Sequence, residues 1–141
     1  MKTCLSLSLI GLSLLFASVC PASENYNADE AKIVSHVIAA VSASPLAFQD
    51  KASAEDILSS LKQSGYLNFG MVLDGQKHVF ASYFKPNTAL QKKDVMASIL
   101  KSLPAHVADG LFQMDHVAFA ITPMRSGSEV IGYVIVGKIS P

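Results

Sequence analysis

The sequence predicts an α+β fold: an antiparallel sheet of about four to five strands with a long N-terminal helix and a crossover helix. Three observations point there. Apolar residues recur at helical spacing in three stretches, two pairs of runs rich in aromatic and aliphatic residues follow the strand pattern, and a Gly-containing turn joins each pair. Half of the composition is hydrophobic and 16% is charged, which excludes a disordered chain. Eleven basic residues balance eleven acidic ones, so no excess charge draws the protein to nucleic acid.

Asn27 to Ala43 reads as the first helix. Ile33, Val34, Val37, Ile38 and Val41 fall on one amphipathic stripe, expected to face the core. Asn27 and Glu30 have the spacing of a capping box, and Pro45 is expected to stop the helix. Ser53 opens a second helix with Asp56 three residues on. Its apolar face is Ile57, Leu58 and Leu61, and Gly65 stands where a left-handed C-cap belongs.

From Tyr66 the period changes. Tyr66–Leu73 and Lys77–Lys85 flank Asp74-Gly75, a hairpin signal. Asn87 or Thr88 is placed to cap the third helix, with Gln91 in capping-box position. Val95, Met96, Ile99, Leu100 and Leu103 form its apolar face, and Pro104 ends it. A loop through Ala105 to Gly110 leads to a strand at Met114–Met124, joined by Ser126-Gly127-Ser128 to a last strand at Glu129–Ile139. The order is α-α-β-β-α-β-β, with the hairpins side by side and the helices on one sheet face. The other face is left for a partner, the first helix or polar residues. Val117–Ile121 and Ile131–Val136 are apolar on both faces, the pattern of a central pair buried on both sides.

Ahead of this body, Lys2, the uncharged run Leu5–Val19 and Cys20-Pro21-Ala22 follow the grammar of a secretory signal peptide. Cleavage after Ala22 divides the chain into a leader at 1–22 and one domain at 23–141. An uncleaved anchor is the first rival, but the apolar run spans about 22 Å as helix against a hydrocarbon core of about 30 Å. Lipidation at Cys20 is the second, and Val19 is a poor residue to precede it. Cys4 and Cys20 are the two cysteines of the chain, so the mature domain has no disulfide, thiolate metal site or cysteine nucleophile. A disulfide-free exported domain with no membrane span after cleavage is expected in a bacterial periplasm.

No catalytic constellation stands out. His36, His78, His106 and His116 form no His-Glu-x-x-His motif. His78 and His116 are read on strands, where they would meet if those strands adjoined, while Asp115 beside His116 points to the opposite face. No metal site is expected. There is no Gly-x-Ser-x-Gly elbow, phosphate-cradling Gly loop or Cys-x-x-Cys-His. Neither an enzyme nor a cofactor is expected, and Lys92, Lys93 and Lys101 read as a solvated helix face.

Particular segments carry a resemblance. Ser44-Pro45-Leu46-Ala47-Phe48-Gln49-Asp50 precedes the helix at Ala54-Glu55-Asp56-Ile57-Leu58, and Phe80-Ala81-Ser82-Tyr83 lies in an aromatic-rich hairpin. The chain closes on Ile121-Thr122-Pro123-Met124 and Gly127-Ser128-Glu129-Val130-Ile131-Gly132-Tyr133-Val134-Ile135. With the element order, residues 28–139 resemble the PAS-like extracytoplasmic sensor domains of the CHASE group, in particular its eighth class. Such domains sit outside the membrane, ahead of a HAMP linker and a diguanylate cyclase or kinase. The resemblance implies a ligand pocket between sheet and crossover helix, near Tyr66, Phe80, Ser82, Tyr83, His116 and Tyr133, with Arg125 at its rim. The plainer reading of Phe80, Tyr83 and Tyr133 is that they fill the core.

The departure from the family pattern is the lack of a second apolar span before Pro141. The expectation is therefore a free-standing, non-enzymatic, sensor-like domain that binds a small organic ligand or modulates a membrane sensor protein. The alternative is a homodimeric interaction protein, paired through the N-terminal helix.

Overall fold

Asn27 begins the first helix as the spacing predicts. In the computed structural model, which describes residues 27–140, its side-chain Oδ1 accepts the Glu30 N–H at 3.1 Å, and α1 follows at Ala28–Ala47. The Glu30 carboxylate does not close a capping box; it accepts from the Ser64 hydroxyl at 2.7 Å and fastens α1 to the segment before the sheet. The signal peptide predicted at 1–22 lies outside the described residues.

Pro45 does not stop α1, which runs on to Ala47. Proline removes one N–H and leaves its own carbonyl free. That carbonyl accepts the Asp50 N–H at 2.8 Å, while the Gln49 N–H reaches the Leu46 carbonyl at 3.2 Å. With Gln49 in the left-handed region (φ 58°), these bonds form a Schellman ending. Asp50 then caps α2 at Lys51–Ser59 by accepting the Ser53 N–H at 3.1 Å. Ser53 thus donates to the capping residue instead of being the cap itself. Gly65 is not a left-handed cap either: a 3-10 turn at Ser60–Gln63 unwinds the helix and Ser64 leaves it extended.

The first hairpin pairs β1 (Phe69–Asp74) with β2 (Val79–Phe84). Asp74 organises its turn, Oδ1 accepting both the Gln76 and the His78 N–H at 2.9 Å. Lys77, not Gly75, takes the left-handed conformation (φ 66°). Phe80 is the bulged residue where the register shifts. A 3-10 stretch at Pro86–Gln91 leads to α3 (Lys92–Ser102), which has no side-chain cap, so the capping box predicted from Thr88 and Gln91 is absent. The Thr88 hydroxyl donates instead to the Lys85 carbonyl at 2.8 Å.

A strand occupies part of what reads as loop: β3 (Gly110–Met114) pairs with β4 (Val117–Ser126) around a tight turn at Asp115-His116, where Asp115 has φ 44°. The second predicted turn forms as expected, with Gly127 at φ 61° between β4 and β5 (Glu129–Ile139). The five strands form one antiparallel sheet in the order β2-β1-β5-β4-β3.

Both faces of that sheet are covered. The helices do not all lie on one side: α1 and α2 pack on one face, over Val72, Ala120, Met124, Val134 and Val136. Val95 and Ile99 of α3 pack on the other, over Phe69, Met71, Phe119, Ile121 and Ile135. Of the predicted central pair Val117–Ile121 and Ile131–Val136, Phe119–Ile121 and Val134–Val136 are buried on both sides, while Ala118, Ile131 and Tyr133 are half-buried.

The stripe predicted on α1 divides between core and solvent, with Ile38 buried and Val34 packed against the core. Ala31, Ser35, Ile38, Ala39, Ser42 and Leu46 are buried, whereas Ile33 (64% exposed), Val37 (57%) and Val41 (48%) face outward. The helix is apolar on two faces, and its core face is built of residues that hydropathy underrates.

Candidate functional site

The sheet divides the residues implied by the resemblance. Phe80 and Tyr83 pack with the α1–α2 core and Tyr133 with the α3 core. Ser82 pairs with Met71 and so faces the α3 side. Tyr66 is half exposed ahead of β1. His116 lies in the β3–β4 turn rather than on a strand, and Arg125 lies at the far end of β4, roughly 30 Å of extended chain away.

His78 is also off the strand, just before β2, and its Nδ1 is 3.3 Å from Asp74 Oδ2. Strands β2 and β3 are opposite edges of the sheet, so His78 and His116 cannot meet. Among the described residues, no group of three His, Cys, Asp or Glu side chains is placed to hold a metal ion.

Arg125 borders a cleft of about 480 Å³ beside the end of α1, with Asp74 and Gln49. Two further clefts are bordered by histidines. The first, about 280 Å³, opens between α3 and the β3–β4 turn, lined by Asp94, Val95, Ser98, Met114 and His116. It lies at the edge of the crossover helix, whose inner face is packed on the sheet, and of the residues implied by the resemblance only His116 lines it. The second, about 490 Å³, lies where α1, the loop ahead of β3 and the end of β4 meet. His36, His106, Asp109 and Arg125 border it, with Thr122 and Pro123 from the sheet.

The floor of the second cleft is a polar contact within an otherwise apolar helix–sheet interface. Ser35 and Thr122, buried, share a hydrogen bond of 2.7 Å. Thr122 Oγ1 is also 3.3 Å from Asp109 Oδ1, and Ser35 Oγ is 2.9 Å from the Lys32 carbonyl. Two hydroxyl protons therefore serve the Ser–Thr bond and one of the two outer acceptors at a time. His36 Nε2 lies 3.0 Å from Asp109 Oδ2, and because an ionised carboxylate only accepts, the imidazole donates. Thus Asp109 has a partner on each oxygen and ties α1 to the β3 loop.

The donors around it are less well served. Arg125 is exposed and makes one long bond, from Nη1 to the Ser128 carbonyl at 3.3 Å. His106, on the loop, has no hydrogen-bond partner among the described residues. The walls between these groups are Val107, Ala108 and Pro123. A pocket of this size with apolar walls and a few convergent polar groups is suited to a small molecule.

Arg125 borders this cleft on the α1 side of the sheet, and not the cleft beside the crossover helix, where the resemblance would make it a rim residue. Ser35, His36, Asp109 and Thr122 were not legible: His36 and Asp109 are 73 residues apart and no local spacing joins them.

No helix among the described residues is long and apolar enough to cross a membrane. Comparison with curated protein sequences returns no match. The model of CHASE8, a periplasmic sensor domain, matches residues 23–137, nearly the whole chain. With the sheet-and-helix architecture described above, this chain belongs to the CHASE8 family of periplasmic sensor domains.

Proposed function

We propose that this CHASE8 domain is exported by its first 22 residues and senses a small ligand, passing the bound state to a membrane signalling receptor such as a diguanylate cyclase or kinase. Sensor families of this kind are typically non-catalytic. The observation that carries the reading is the cleft at Arg125, where an occupant would touch α1, the β3 loop and β4 together. A ligand there would change how the N-terminal helix is held against the sheet. Any ligand that binds only the folded protein raises its apparent stability. A thermal-shift screen of small acids, amines and nucleotides on protein purified from the periplasm is expected to return at least one stabilising compound. A screen with no stabilising compound overturns the ligand reading in favour of a protein partner.

The outward face of α1 favours a second reading, self-association. Ile33, Val37, Ala40, Ser44 and Ala47 alternate in steps of four and three and are all exposed, opposite the core-facing residues. That is the seam spacing of a two-helix coiled coil, and a two-fold axis makes one such seam complementary to its copy. Phe48, 81% exposed, extends the apolar strip at its end. Light scattering at tens of micromolar is expected to give a dimer that a double Ile33→Ser, Val37→Ser variant loses; a monomeric parent sinks this reading.

A further inference from the structure

Resting on the ligand reading, the geometry points to a small organic carboxylate as the occupant of the cleft between α1, the β3 loop and the end of β4. The unmet groups there are donors. Arg125 uses one of its five N–H groups, in a long bond, and His106 uses none. The acceptor in the same cleft, Asp109, already has His36 on one oxygen and Thr122 near the other. An occupant therefore has to supply acceptors, and an amine would compete with His36 for an engaged carboxylate.

Charge and shape narrow the class. The planar guanidinium fork matches two carboxylate oxygens, while a phosphate dianion would bring more charge close to Asp109. Val107, Ala108 and Pro123 offer apolar wall to a short carbon skeleton. Thr122, on the cleft floor, joins the occupant's surroundings to the buried Ser35 of α1. The site is thus in contact with the helix whose outer seam is exposed.

The test uses periplasmically purified protein and a panel of acetate, succinate, glutarate and citrate, with succinamide, putrescine and inorganic phosphate beside them. Sodium chloride at matched ionic strength sets the baseline. At least one carboxylate is expected to raise Tm above that baseline and succinamide to leave it unchanged. Arg125→Gln is expected to weaken carboxylate binding roughly ten- to hundredfold, the range for losing a charged hydrogen bond. Arg125→Lys should restore only part of it, and His106→Gln should cost less than Arg125→Gln. Ligand-free Tm is expected to be the same in Arg125→Gln and parent, because the side chain is exposed.

Stabilisation by putrescine or phosphate but by no carboxylate overturns the ligand class and leaves the ligand reading standing. A carboxylate effect undiminished in both Arg125→Gln and His106→Gln overturns the site. A panel and a wider screen that are both silent overturn the inference and the ligand reading together.

Discussion

The two faces of the sheet are covered in different ways. On the α3 face large side chains interdigitate: Phe69 stacks on Phe84 with ring centroids 5.3 Å apart, Phe112 on Phe119 at 5.6 Å, and Ile99 is fully buried with them. On the α1 face Ala31, Ser35, Ala39 and Ser42 let the helix backbone come close over β4 and β5, while α3 stays farther from the strands. One layer is held by stacked rings and bulky apolar contact; the other combines close approach with the buried Ile38, Leu46, Leu58, Leu61 and Met124 and one hydroxyl pair. The polar cleft opens on the side of the close contact.

Substitutions can break or sharpen this contrast. Phe119→Ala, on the α3 face, is expected to have the largest effect, a loss of about 3–5 kcal/mol in denaturant unfolding, because it removes a stacked, buried ring. Gly132→Ala tests the close face. Its new Cβ would run into the Leu73 carbonyl oxygen of β1 and lie 2.6 Å from Leu46 of α1, and a loss of about 1–3 kcal/mol is expected. An unchanged Tm in that variant would mean that α1 is not tightly seated.

Two serines on α1 separate the hydroxyl pair from mere smallness. Ser35→Ala removes the bond to Thr122 and should cost about 1 kcal/mol. The buried Ser42 hydroxyl has no partner among the described residues, so Ser42→Ala should be neutral or stabilise by up to about 1 kcal/mol. Equal losses in both variants would refute the distinction.

The smallest effect concerns pH. The Ser53 hydroxyl and N–H together hold the Asp50 carboxyl below its ordinary value of 3.8. Its contribution is therefore present above that value and is lost as pH falls through the depressed one. Asp50→Asn keeps a capping oxygen without the charge. Below about pH 4 the parent's Tm should fall slightly more steeply than the variant's, and parallel curves would show that the cap's charge adds nothing.

Legibility in the sequence followed the same divide. The α3 face was readable because Val95, Met96, Ile99, Leu100 and the strands opposite are strongly apolar. The first helix was readable as a helix, yet its buried face was not, because Ala and Ser carry little hydropathy and Ile33, Val37 and Val41 carry much. Strand β3 was hidden by its shortness and by a turn, Asp115-His116, without glycine; its Leu111 is 47% exposed. The polar cleft depends on contacts across 73 residues for His36–Asp109 and 87 for Ser35–Thr122, which only the closed fold creates.

The position of β5 has a consequence for how the protein is made. It is the last strand in sequence, yet it lies between β1 and β4 and is the piece that joins the two hairpins. A nascent chain stalled before Glu129 has two ribbons and no sheet, so neither helical layer has a complete surface to settle on. Pairings between strands so far apart in sequence form slowly, so the sheet closes only after Glu129–Ile139 has been made.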